Sequence, residues 1–233
     1  GFELIHAKLD DRDAAIKRLA TRALGQIGSS AEVPRLIALA ERDQDWTVRI
    51  AAASAALSII DRAPAMLVQA SEDWTSRALA SADVSVRRAA ARLLGEMPDE
   101  RRAVPLLAQA IVDRDARVRL AASSSAGKMR SQEAALQVIA SVRLETSKEV
   151  REQQLLSLGR IGHSVAKELL AELMQQPDRP GVVAAGSLLA LGDSTGRPRL
   201  LEAVQAASEE LRLVAVRAAS EAAAANPIAI PIL

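Results

Sequence analysis

Apolar and small residues recur along this chain in a repeated helical stripe. Between Asp83 and Gly95 the stripe is Val86, Ala89, Ala90, Leu93 and Leu94, the spacing of one face of an α-helix. The same pattern begins at Ile16 and continues through Leu19, Ala20, Ala23 and Leu24. Taking the apolar residue before a basic one as an anchor gives Ile16, Val48, Val86, Val118, Val150 and Leu211, with Val183 (before Ala184) as a looser equivalent. Successive anchors lie 32, 38, 32, 32, 33 and 28 residues apart. A period of this size replaces a single globular core with a stack of like units.

Each striped segment carries the chemistry of a helix start. Asp13, Asp45, Asp83 and Asp115 stand three residues before their anchors, where a carboxylate accepts from the free N–H groups of the first turn. Gly25, Gly95, Gly127, Gly159 and Gly192 stand just past the stripe, where the spacing predicts helix ends. A second amphipathic segment separates successive stripes, most clearly Ala31 to Ala40 and Arg102 to Ile111. Pro34 and Pro105 are expected in its first turn, where a missing N–H is harmless. Each unit is therefore a helix pair, A then B. The longer step from Val48 to Val86 predicts an extended A helix from about Pro64 to Ala80.

The pattern Asp-x-x-Val-Arg-x-x-Ala-Ala-x-x-Leu-Gly, followed by Ala-Val-Pro-x-Leu, resembles HEAT repeats, specifically the short bacterial PBS-lyase HEAT-like type. The resemblance covers essentially the whole chain. It is strong at Ile16, Val48, Val86 and Val118, moderate at Val150, and weak at Val183 and Leu211. It implies an all-α, right-handed α-α superhelix of about seven helix pairs, a single array over 1–233. The sequence Ala229-Ile-Pro-Ile-Leu233 opens like another A helix, so the expectation is a fragment of a longer protein with more repeats or another domain beyond Leu233.

Composition sharpens this picture. Nearly half the residues are hydrophobic and only 1% aromatic, which favours tightly stacked helices built from Ala and Leu. The net charge is +1, so no global field draws nucleic acid or anionic membrane, and any basic site is local. No apolar run reaches the ~20 residues that span a bilayer. The expectation is a cytoplasmic protein without membrane insertion. Cysteine is absent, which removes disulfides and thiolate chemistry.

The candidate chemistry mostly dissolves into architecture. The pairs Asp45 with Arg49, Asp83 with Arg87 and Asp115 with Arg119 are periodic, and the resemblance implies a structural ladder, Asp capping and Arg bonding the neighbouring turn. His6 and His163 are the only histidines, and they lack the spacing of helical metal sites. HEAT-like iron hydroxylases carry repeated His-Glu pairs, which are missing here. Trp46 and Trp74 each follow an Asp in the same local motif. Local packing is favoured for them over the base-stacking role that HEAT-like DNA glycosylases suggest. No metal, cofactor or catalytic residue is expected.

What remains is the variable side of the B helices, which in this family lines the concave surface. Early repeats place Arg18, Arg22, Arg88 and Arg92 there; later ones place Leu120, Leu155, Leu156, Leu188, Leu189, Leu213 and Val216. Either the surface turns from basic to apolar, forming an interaction site, or the later helices are rotated, as Gln153 and Gln154 on the stripe suggest. Burial of Leu155, Leu156, Leu188 and Leu189 decides for rotation. The resulting expectation is a non-catalytic scaffolding module with a protein partner and no nucleic-acid partner, held by Arg18, Arg22, Arg88, Arg92, Leu155, Leu156, Leu188 and Leu189. The alternatives are an accessory bilin-chromophore lyase and a regulatory repeat domain fused to a transporter or signalling protein.

Overall fold

A computed structural model describes residues 2–62, 75–97 and 99–226, all helix and connecting turn, with no strand among them. The elements are α1 (Phe2–Lys8), α2 (Ala14–Ile27), α3 (Val33–Arg42), α4 (Trp46–Arg62), α5 (described over residues 75–79), α6 (Val84–Leu93) and α7 (Glu100–Ala110). They continue with α8 (Ala116–Ala126), α9 (Gln132–Val142), α10 (Lys148–Ile161), α11 (Lys167–Leu173), α12 (Arg179–Ala190), α13 (Arg197–Val204) and α14 (Glu209–Ala225). Odd-numbered helices are A and even-numbered ones B, giving seven pairs. The chain clusters into two compact units, Gly1–Leu106 and Leu107–Leu233, the division falling within α7. The end segment with Ile228, Ile230, Ile232 and Leu233, the residue Trp74, and the extended A helix before residue 75 lie outside the described residues.

The B helices start where the carboxylates predict. Asp13, Asp45, Asp83 and Asp115 accept from the backbone N–H two residues on, at 2.7, 2.7, 2.8 and 2.9 Å. Ser147, Asp178 and Ser208 take over the cap in α10, α12 and α14 by accepting from the N–H three residues on. The last two caps were not legible from Val183 and Leu211. In α12 the third residue from the cap is Gly181, two places before Val183; the opening Arg179-Pro180-Gly181 replaces the apolar-basic pair with a proline first turn, which hid the register.

In unit 1, α2 packs on α4 and α4 on α6, while α1 and α3 cover one side. Leu24, Leu36, Val48 and Ile59 form the centre of that core. Unit 2 repeats the arrangement with α8, α10, α12 and α14 in a row and α9, α11 and α13 beside them. Its core holds Leu155, Leu158, Leu170 and Leu188. Hydroxyls stitch this second row from helix to helix: Ser157 donates to the Ser123 carbonyl at 2.5 Å and Ser187 to the Leu155 carbonyl at 2.8 Å.

Two sequence expectations about helix punctuation need correction. Gly25 and Gly159 do not end helices but sit inside α2 and α10. A Cβ on Gly25 would stand 2.9 Å from Ala55 Cα, and one on Gly159 would stand 3.0 Å from Ser187 Cα. They are glycine so that neighbouring B helices can touch backbone to backbone. Pro34 does lie in the first turn of α3, but Pro105 is inside α7. Asp99 starts that helix earlier by accepting from the Arg101 N–H at 3.1 Å.

Candidate functional site: the B-helix face of unit 1

The periodic charges belong to the joints between repeats. Arg49 donates to the carbonyls of Asp43 and Gln44 in its own A–B turn, and to Asp83 of the next repeat at 3.0 and 2.8 Å. Arg119 does the same with the Asp113 carbonyl and, at 2.7 and 2.8 Å, with Glu145. Arg87 and Arg212 clamp the two carbonyls of their turns, and Lys17 bonds Asp43. Burial raises the Asp83 and Glu145 pKa values, but the facing guanidinium and a backbone N–H outweigh it, so both carboxyls titrate below their ordinary values. The Asp45 carboxyl is also lowered, chiefly by the Thr47 hydroxyl. These groups are engaged by structural partners in the turns and across the joints.

A second set of acids in these joints was missed. Asp11, Asp43, Asp113 and Glu145 each accept from the N–H of the capping residue two places on, at 2.8 to 3.0 Å. The signal was available in Asp11-Arg-Asp13, Asp43-Gln-Asp45 and Asp113-Arg-Asp115, since an Asp two residues before another polar cap closes an Asx turn.

The variable face behaves differently in the two units. In unit 1 an open groove of about 700 Å³ runs between α2 and α4. One wall carries Arg18, Leu19, Arg22 and Gln26, the other Thr47, Ile50, Ser54 and Ser58, over a floor that includes Gly25, Ala51 and Ala55. Arg18 donates to the Thr47 hydroxyl at 3.0 Å. Arg22 is exposed, as are Arg88 and Arg92 on α6; Arg22 and Arg88 have no side-chain partner among the described residues. The four predicted arginines therefore share the B-helix side, with Arg18 and Arg22 brought together in one groove.

Leu19 was placed on the buried stripe but is 67% exposed. Later B helices carry Ala51, Ala89 and Ala121 at this position, all buried. A methyl group hides under the neighbouring backbone there, whereas the longer leucine extends into the groove.

In unit 2 the predicted apolar patch is not a surface. Leu155, Leu156, Leu188 and Leu189 are 0%, 6%, 0% and 4% exposed, which decides for rotation and removes them from the displayed set. The reason is encirclement: α10 packs on α8, α9, α12 and α14, and every residue of α12 from Pro180 to Leu189 is buried. Gln154 turns inward as well and donates to the Ser141 hydroxyl at 3.0 Å. Of the later apolar positions, Leu213 and Val216 on α14 remain exposed.

His6 faces Glu32 at 2.9 Å, and His163 Nδ1 accepts from the Val165 N–H at the start of a short 3-10 turn. Trp46 opens α4 and is 61% exposed, which overturns the local-packing expectation for that ring, the first position of the helix leaving it open to solvent. Among the described residues no helix is long and apolar enough to cross a membrane.

Comparisons with known proteins agree with this geometry. No curated protein matches the chain in sequence. Among solved structures, the Escherichia coli protein YibA superposes with a TM-score of 0.65 at 18% identity, over 94% of this chain and 81% of that one. The CpcE–CpcF complex of phycocyanin lyase from Nostoc gives 0.53 at 23% identity, over 95% and 87%. At these identities the likeness carries the fold alone. The family model of HEAT repeats matches residues 2–74 and 71–154, the stretch in which the Asp, Val and Arg of the joints recur most regularly. With its alternating A and B helices, its capped joints and this match over most of its length, the chain belongs to the HEAT-repeat family.

Proposed function

We propose that the chain is a non-catalytic scaffolding module that binds a protein partner on the B-helix face of α2, α4 and α6. The observation that carries this reading is the α2–α4 groove, whose arginine Arg22 is solvent-exposed and has no counterion among the described residues. Arg18, Arg88 and Arg92 extend the same cationic side. Most of the periodic charges elsewhere, Arg49, Arg87, Arg119 and Arg212 among them, are engaged in the joints, which supports display as the task of Arg22 and Arg88. Leucines 155, 156, 188 and 189 have no part in it.

The test uses the intact chain as bait in extracts of its source, with quantitative mass spectrometry. A partner enriched by the native chain should be lost when Arg22 and Arg88 are both changed to Glu, with helicity unchanged. Retention of every enriched partner removes this face from the proposal. The lyase reading keeps one direct test, suggested by the likeness to CpcE–CpcF. A visible absorption shift of a free bilin on mixing with the chain would move the assignment toward chromophore chemistry.

A further inference from the structure

We infer that the α2–α4 groove receives an acidic, amphipathic helical segment of a partner protein. This rests on the binding-module reading above and adds the chemistry of the occupant.

The first argument is charge. None of the residues lining the groove is acidic, although 29 Asp and Glu are spread through the chain. Arg18 and Arg22 stand one turn apart on α2, about 6 Å along the axis. Arg18 donates to the Thr47 hydroxyl, behind which the Asp45 carboxylate lies close enough to feel its charge, whereas Arg22 has no side-chain partner among the described residues. Carboxylates four residues apart on a docked helix repeat the same 6 Å and can face both cations.

The second argument comes from the other unit, where the same kind of site is filled from within. Arg160 on α10 receives the Glu221 carboxylate from α14 in two-point geometry, at 3.0 and 2.7 Å. The donor of that carboxylate is itself a helix. An arginine on this face can thus take a helix-borne carboxylate, and among the described residues the lining of the α2–α4 groove supplies none.

The third argument is the apolar component. Leu19, between the two arginines in sequence, is exposed and lines the groove together with Ile50, Ala51 and Ala55. An acidic helix with a leucine or isoleucine between its carboxylates would cover Leu19 and gain from burying it. A nucleic acid offers nothing to an isolated leucine, and the lining contains no aromatic ring on which a base could stack. The observations thus favour protein over nucleic acid.

The probe is a fluorescein-labelled, Ala-rich helical peptide of roughly 18 residues, long enough to hold helicity, with Glu-Leu-x-x-Glu at its centre. Fluorescence polarisation with the full chain should show binding, weakened about tenfold when both Glu are Gln, the effect of losing charged hydrogen bonds. Arg22→Glu should weaken the Glu peptide by a similar factor and bind instead a peptide with Lys in place of Glu. Arg22 is exposed, so helicity and melting should hold; Arg22→Gln, a milder change, should give an intermediate loss. Equal binding of the Glu and Gln peptides would overturn the acidic occupant while leaving the module reading in place. So would no binding of either peptide while the bait experiment still retains a partner sensitive to Arg22. Tighter binding of a single-stranded oligonucleotide of equal charge would overturn it in favour of nucleic acid.

Discussion

The B-helix faces of the two units are built on one plan and end in opposite states. Between α2 and α4 side chains of unequal length stand apart around a groove of about 700 Å³. Among α10, α12 and α14 the facing positions are Gly159, Gly186, Ser187, Ala190 and Ala218, and the cleft left between them is about 10 Å³. Gly186 shows how close the approach is, since a Cβ there would lie 2.7 Å from that of Ala218. The cations differ in the same sense, Arg160 being closed by Glu221 and Arg22 having no partner among the described residues. A repeat thus becomes structural or available for binding through a few side chains on one face.

The hardest way to break the comparison is to force the closed face open. Gly186→Val should lower the stability of the chain by about 3 kcal/mol, because overpacking at a backbone contact leaves nothing able to yield. Urea unfolding followed by circular dichroism would measure it. Leu188→Ala, a cavity in the encircled α12, should cost about 2–5 kcal/mol, whereas Leu19→Ala should stay within about 0.5 kcal/mol. Equal losses from those two variants would contradict the assignment of Leu188 to core and Leu19 to surface.

A middle-sized effect tests the joints that both units share. Because the Asp83 and Glu145 carboxyls titrate lower in the folded chain than in the unfolded one, their contribution is complete above the unfolded values. It is lost as pH falls through the lowered folded ones. Melting temperature should therefore drop below about pH 4, and less steeply in a Glu145→Gln variant that is already weaker at neutral pH. An unchanged acid slope in that variant would remove Glu145 from the pH response. The smallest effect sharpens the comparison most. Glu221→Gln breaks a half-exposed pair and should cost at most about 1 kcal/mol, yet it should give the acidic helical peptide a weak second site at Arg160, visible as a change in stoichiometry.

The alternation of helices, the B-helix starts at Asp13, Asp45, Asp83 and Asp115, and the buried stripe at Val86, Ala89, Ala90, Leu93 and Leu94 were legible because they depend on local spacing. The face was legible only in part. Arg18, Arg22 and Arg88 could be placed on the exposed side, since a charged side chain without a partner rarely goes inside. The leucines at 155, 156, 188 and 189 could not be placed, because apolar residues all round a helix fit both a sticky surface and an encircled core. Which of these holds depends on how many neighbours surround the helix, and α12 has them on every side. Gly25 and Gly159 were misread for a related reason: a glycine near a helix end and one under a crossing backbone look alike until the neighbour is in place.

The joints also bear on how such a chain avoids assembling out of step. Identical repeats can dock against the wrong neighbour during folding, a recognised hazard of arrays. Here the acid that answers the cation stands at one of two distances from the next anchor. Lys17 reaches Asp43, five residues before Val48, and Arg119 reaches Glu145, five before Val150; Arg49 instead reaches Asp83, three before Val86. The turns before Val48 and Val118 carry acids at both offsets, Asp43 with Asp45 and Asp113 with Asp115, so a helix pair that skipped its neighbour could still find a carboxylate there. The ladder therefore works as a tie between neighbouring pairs and does not by itself set their order.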